Sequence, residues 1–220
     1  MLLYYITDRS QFSGDEASRR KKLLQKITEA AECGVDFIQL REKDLSSREL
    51  VTLAQEAIRL IREIPASPTH LLINSRTDVA IAAGADGVHL RSVDISPKDV
   101  RGIWSFRGDR SLATPSAVPV ITVACHQVSD VILAAKNGSS FVLFGSIFEK
   151  RKDSQFSTAN AVPAGLELLR QACRQEIPVI ALGGITPENA RSCIDAGAVG
   201  IAGIRLFQEN RTRDVVHALR

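Results

Sequence analysis

The feature that most constrains this chain is one phrase repeated four times. ECGVDFIQL from Glu32, AAGADGVHL from Ala82, KNGSSFVLF from Lys136 and DAGAVGIAG from Asp195 share a grammar. Each reads as a helix end, a glycine, two residues and then an apolar strand. Gly34, Gly84, Gly138 and Gly197 fall just past the helix C-terminus, where a left-handed backbone suits glycine best. They lie 50, 54 and 59 residues apart, so each interval has room for two strand–helix units. A doubly wound sheet uses similar turns. Eight units in 220 residues, however, favour a closed α/β TIM barrel, (βα)8. No linker divides the chain, and residues 1–220 read as a single barrel domain.

The strands predicted on this frame are Leu2–Thr7, Phe37–Arg41, Leu71–Ser75, Gly87–Leu90, Val118–Ala124, Ser140–Ser146, Val179–Leu182 and Gly200–Ile204. They are nearly all apolar, as parallel strands covered on both faces must be. Helical patterns occupy Ala17–Cys33, Ser46–Ile64, Pro163–Gln175 and Pro187–Ala196. Ser46 or Ser47 is an N-cap candidate, and Thr186-Pro187 sets a cap and then proline at the first helical position. Two irregular stretches remain. Trp104–Pro119 precedes a strand and so lies on the face away from chemistry; its RGDR (Arg107–Arg110) reads as a solvated turn. Ile147–Pro163 follows a strand and lies on the catalytic face, as a lid or as a plain long loop.

Composition narrows the partners. The 28 basic and 25 acidic residues leave a net charge of +3. That balance gives no general electrostatic case for nucleic acid or a membrane surface. No apolar run approaches the roughly 20 residues of a membrane span. The N-terminus reads as a first strand, without the basic start of a signal peptide. The four cysteines form no CxxC pair, which fits free thiols in the cytoplasm. Association into a homo-oligomer is left open.

A barrel places its chemistry at the C-terminal ends of its strands. Those ends carry Arg9, Gln39, Arg41, Lys43, Asn74, Ser75, His89, Arg91, Asp94, His126, Ser146, Gly183, Gly184, Gly203 and Arg205. Gln39 and Arg41 alternate across Leu40 and so share one face. A buried arginine needs an anion, supplied by a ligand or by a structural partner such as Glu42; Lys43 beside it favours the ligand. Gly183-Gly184 and Ala202-Gly203 end the seventh and eighth strands, where this fold often holds phosphate on exposed backbone. His126 closes the fifth strand, a suitable place for a base. His89, between Val88 and Leu90, reads as a hydrogen-bonded core residue. Asp94, with Asn74 and Asp78, is a weak metal candidate, and a structural role is favoured for it.

With those residues in place, QLREK (Gln39–Lys43), INSRTDVAIAAGADGVHL (Ile73–Leu90), FVLFGSIFE (Phe141–Glu149) and PVIALGGITPENA (Pro178–Ala190) resemble the thiamine phosphate synthase/TenI superfamily over the whole chain. The resemblance implies a TIM barrel, thiamine biosynthesis and a phosphorylated thiazole ligand. Its synthase branch joins a pyrimidine diphosphate to a carboxythiazole phosphate with Mg2+. Its TenI branch isomerises the thiazole phosphate to its aromatic tautomer without metal. This sequence departs from the synthase pattern: Asn74-Ser75 stands for Asn-Asp, Leu90-Arg91-Ser92 for Leu-Gly-Gln, and Glu149-Lys150-Arg151-Lys152 for the Thr-x-Thr-Lys loop. Those departures point to a TenI-like tautomerase, an isomerase with His126 as its catalytic residue and no cofactor. Substrate would be bound by Gln39, Arg41, Lys43, Asn74, Ser146, Lys152, Gly183, Gly184, Ala202 and Gly203. Gln39, Arg41 and Lys43 are shared with the synthases, which keeps a Mg2+-dependent transferase as the alternative. A non-catalytic phosphate-binding relative is the third reading.

Overall fold

A computed structural model describes residues 1–105, 118–149 and 163–220. Eight strands are present: β1 (Leu2–Ile6), β2 (Phe37–Leu40), β3 (His70–Asn74), β4 (Gly87–Leu90), β5 (Val120–Cys125), β6 (Phe141–Gly145), β7 (Val179–Leu182) and β8 (Gly200–Gly203). All pairs are parallel, and the sheet closes in the order β1 to β8 with β8 against β1. Helices run between strands: α1 (Glu16–Glu32), α2 (Ser47–Arg62), α3 (Thr77–Ala83), α4 (Pro97–Ser105), α5 (Val128–Lys136), α6 (Gly165–Cys173) and α7 (Pro187–Asp195). After β8 come α8 (Arg205–Gln208) and α9 (Thr212–Leu219).

The repeated glycines behave as the sequence requires. Gly34, Gly84, Gly138 and Gly197 have φ of 75°, 73°, 76° and 106°, in the left-handed region. They precede β2, β4, β6 and β8, one in every second unit. Ser46 is the N-cap of α2, closing a capping box with Glu49. Helix α4 reaches one residue past Trp104, which is buried, so that residue is helical and not the start of a loop. Arg107–Arg110, Lys152 and most of the stretch after β6 lie outside the described residues.

The period of two divides each strand between two cores. Tyr4, Ile6, Leu72, Phe141, Leu143, Ile180 and Ala202 pack inside the barrel. Leu3, Tyr5, Ile38, Leu40, Ile73, Val88 and Leu90 pack outward against the helices. Gln39, His89 and Thr122 are in register with the interior set, since Ile6 pairs with Gln39, Gln39 with Leu72, and His89 with Thr122. The cysteines are free, and Cys125 is buried beside an exposed His126, as neighbours on opposite faces must be. Among the described residues no helix is long and apolar enough to cross a membrane.

Candidate active site

A polar chain crosses the upper barrel interior. Tyr4 Oη donates to Gln39 Oε1 (3.1 Å), and Gln39 Nε2 donates to Asn74 Oδ1 (2.8 Å). Asn74 Nδ2 then donates to Ser75 Oγ (3.3 Å). Ser75 has φ of 60°, and its N–H donates to the carbonyl of His89 (2.7 Å), which ties the ends of β3 and β4 together. Gln39 and Asn74, expected as substrate contacts, are thus in place at adjacent strand ends and are held by one another.

His89 is buried, with Nδ1 2.8 Å from Thr122 Oγ1. Burial and then the nearby Arg41 charge push its pKa down to about 3. It is a neutral core residue, in line with the sequence reading. The sign of its pH effect follows. Between its ordinary value of 6.5 and about 3, the unfolded chain binds a proton that the folded chain refuses, so stability falls as pH drops. Between pH 7 and pH 5 this amounts to about 2 kcal/mol. Urea unfolding at both pH values is expected to show that extra loss in the wild type and not in His89→Gln. Equal pH dependence in the two proteins would contradict it.

The mouth cations sort into two groups. Arg9 is buried and carries three carboxylates: Glu16 (2.6 Å), Glu42 (3.0 Å) and Asp44 (2.7 Å). Arg76 pairs with Asp78 at 2.5 Å. Glu42, weighed as a partner for Arg41, belongs to Arg9 instead. Arg41 and Lys43 make no ion pair among the described residues. Their charges oppose one another: Arg41 first, then burial, then Arg91, hold the Lys43 ammonium below its ordinary pKa, partly offset by Asp8. An anion placed among them would relieve that repulsion.

Asp94 is saturated by its neighbours. It accepts from the Arg91 backbone N–H (2.8 Å), from Arg91 Nη2 (2.8 Å) and from Arg91 Nε (3.2 Å). Burial pushes its carboxyl up, but the Arg91 side chain and N–H outweigh that and hold it below the ordinary carboxylate value. A Mg2+ site at this mouth would draw on Asn74, Ser75 and Asp94. Asn74 Oδ1 already serves Gln39, Ser75 brings no charge, and Asp94 is engaged by a guanidinium. Those residues do not fit a hard divalent cation, which needs several free oxygens. Among the described residues no group of three His, Cys, Asp or Glu side chains could hold one.

His126 directly follows β5, with its ring exposed and its N–H donating to Asp130 Oδ2 (2.9 Å). Its Nδ1 contacts the Gly145 carbonyl. A carbonyl only accepts, so Nδ1 carries the proton and Nε2 is the free lone pair of the neutral ring.

The glycine pair needs a different account from the expected one. Gly183 and Gly184 have φ of 100° and 66°. A Cβ on Gly183 would lie 2.1 Å from Ser146 Oγ, and one on Gly184 2.7 Å from the Glu149 carbonyl. Chain leaving β6 crosses here, with Ile147 N–H on Leu182 O (2.9 Å) and Phe148 N–H on Gly183 O (3.0 Å). The glycines therefore make room for the chain's own backbone, whatever else they admit. Ser146, whose Oγ donates to the Phe148 carbonyl (3.1 Å), belongs to that crossing. Ala202 has its side chain in the interior core, and a Cβ on Gly203 would meet Leu206 Cβ at 2.8 Å. Lys152 lies outside the described residues.

Sequence reasoning left one residue out of the expected binding set. Arg91 stands two positions beyond His89, as Arg41 stands two beyond Gln39. The same spacing that singled out Arg41 applies to it.

Comparison with known proteins bears on the chemistry. The family described as thiamine monophosphate synthase (TMP-TENI) matches residues 3–207. A thiamine-phosphate synthase of Syntrophomonas wolfei is 36% identical over 205 residues, covering 92% of this chain and 86% of that protein. One from Roseiflexus castenholzii is 33% identical over 204 residues, covering 92% and 79%. The structure of a thiamine phosphate pyrophosphorylase from Pyrococcus furiosus superposes with a TM-score of 0.78 at 28% identity, covering all of this chain and 93% of that one. These relatives carry the name of the transferase, and the expected leaning toward an isomerase finds no support among them.

Proposed function

The chain belongs to the thiamine phosphate synthase/TenI family, and from that premise we propose that this enzyme of thiamine biosynthesis is a transferase joining a pyrimidine diphosphate to a thiazole phosphate. One observation carries this reading beyond the names of the relatives. Arg41, Lys43 and Arg91 gather at the ends of β2 and β4, while the glycine-bearing ends belong to β7 and β8. In a closed ring of eight strands β3 lies opposite β7, and β4 opposite β8. The mouth therefore has two separate regions suited to anions, facing each other across it. Two substrates that each carry phosphate call for such a pair; an isomerase with one phosphorylated substrate needs only one.

In this reading the cations on β2 and β4 hold the diphosphate, and the backbone at Gly183-Gly184 and Ala202-Gly203 holds the thiazole phosphate. The reacting methylene carbon and thiazole nitrogen then meet over Gln39 and Asn74. The bond from the pyrimidine methylene to the diphosphate oxygen breaks. A bond from that methylene to the thiazole nitrogen forms, and inorganic pyrophosphate leaves with the electron pair; where the thiazole carries a ring carboxylate, that group leaves as CO2 and the bonding pair left on the ring carbon takes a proton from water. Arg41 and Lys43 stabilise the charge that develops on it. The test is formation of thiamine phosphate from the two substrates together, by mass spectrometry, against each substrate alone.

Tautomerisation remains the second reading, favoured by the free Nε2 of His126. It needs one positioned base, and losing that base would cost about 10²-fold or more. Condensation makes no such demand on His126. We expect His126→Asn to retain condensation within about tenfold of the wild type, below the range for a lost general base. Isomerisation of the thiazole phosphate alone by the wild type, lost about 10²-fold in His126→Asn with the fold intact, would support the tautomerase instead.

A further inference from the structure

We infer that the Arg91 guanidinium stands where the synthase pattern uses a divalent cation, so that a diphosphate group is bound here by protein cations without metal. The inference rests on the diphosphate reading above. Three observations carry it.

The first is placement. Arg41 and Arg91 directly follow β2 and β4, the two strands paired with β3 on either side, so both stand beside the end of β3 that carries Asn74-Ser75. The second is the carboxylate. Ser75 supplies only an uncharged hydroxyl, which accepts from Asn74 Nδ2 (3.3 Å). Asp94, with its side chain only 11% exposed, spends its lone pairs on Arg91. Its role is to orient a guanidinium whose remaining N–H groups stay available, since Arg91 is itself 61% exposed. The third is charge. Arg41 and Lys43 have no carboxylate of their own among the described residues, and Lys43 feels both arginines. Asp94 and Asp8 together do not cancel the three cations, so the mouth keeps a net positive charge that an anion would neutralise. Arginine keeps its charge at any physiological pH and binds phosphate oxygens with a fork of donors.

Inorganic pyrophosphate is the probe, titrated calorimetrically into the full chain with EDTA and with Mg2+. In EDTA the wild type is expected to bind it with an affinity within about threefold of that in Mg2+. Arg91→Gln is expected to weaken binding in EDTA by about tenfold or more, the scale of one charge-assisted phosphate contact. Arg62→Gln, an exposed cation on α2, is expected to change nothing and controls for general charge. The inference is overturned if EDTA abolishes wild-type binding. It is also overturned if Arg91→Gln binds like the wild type while Arg41→Gln does not, which would leave the diphosphate reading standing. If neither arginine matters, the diphosphate reading fails with it.

Discussion

Replacing Arg9 with leucine is expected to cost about 3–5 kcal/mol of folding stability, the range for removing one partner of a buried ion pair. Glu42 has its side chain 2% exposed, between Thr7 Oγ1 (2.6 Å), the Arg9 N–H (3.0 Å) and Arg9 Nη1 (3.0 Å). Burial already raises its pKa above the ordinary carboxylate value. Without the guanidinium it would be a buried charge at the joint of β1 and β2 with no cation to pair it, held only by the Thr7 hydroxyl and the residue-9 N–H. Two further results follow. The deficit should shrink as pH falls toward the carboxyl range, because the folded variant then binds a proton more readily than the unfolded one. A second change, Glu42→Leu, should restore much of the loss, since an apolar pair of similar volume often replaces a buried ion pair at little cost. Urea unfolding of the single and double variants measures both. A single variant as stable as the wild type would show that the Thr7 hydroxyl and the residue-9 N–H alone are enough to hold Glu42.

Arg41→Gln should leave stability nearly unchanged and lower condensation turnover by about 10²–10³-fold, as for a lost donor to developing charge. Arg41 forms no ion pair among the described residues, so its removal strands no buried carboxylate. Only the bound diphosphate would lose a partner. The contrast with Arg9 is the point: two arginines lie a few residues past neighbouring strand ends, one committed to the scaffold and one left for a ligand. Turnover and melting temperature measured on the same preparations separate them. Unchanged turnover in Arg41→Gln would remove the β2 cations from the chemistry.

How far the sequence carries this molecule can be seen residue by residue. The glycine phrase located the starts of β2, β4, β6 and β8, because a left-handed residue after a helix is a local demand that glycine meets. Strand ends were legible to within a residue or two, since parallel strands are continuous apolar runs. Helices α3 and α5 were implied by their terminal glycines but not delimited. Seven residues of TDVAIAA and the mostly apolar VSDVILAAK offer too little contrast between faces. The alternation placed Gln39 in the interior register, while Arg41 and Arg91 follow the ends of their strands, where the period of two no longer applies. What sequence could not show is long-range contact. Nothing near Gly183 or Gly184 reveals that Ser146–Glu149 crosses them, and nothing near Glu42 assigns it to Arg9 rather than to Arg41. The choice between isomerase and transferase was drawn from Asn74-Ser75, Leu90-Arg91-Ser92, the Glu149–Lys152 stretch and the histidine closing β5. All but the histidine bear on how an anion is neutralised, by metal or by arginine, more directly than on which bond is made.

The most direct test follows every phosphorus atom in one tube. Purified protein with the pyrimidine diphosphate and carboxythiazole phosphate is monitored by ³¹P NMR, first in EDTA. The account predicts that the diphosphate signals give way to inorganic pyrophosphate, one for each new thiamine phosphate, and only when both substrates are present. A diphosphate that persists unchanged with EDTA and with Mg2+, while the thiazole phosphate alone converts to its tautomer, would contradict it.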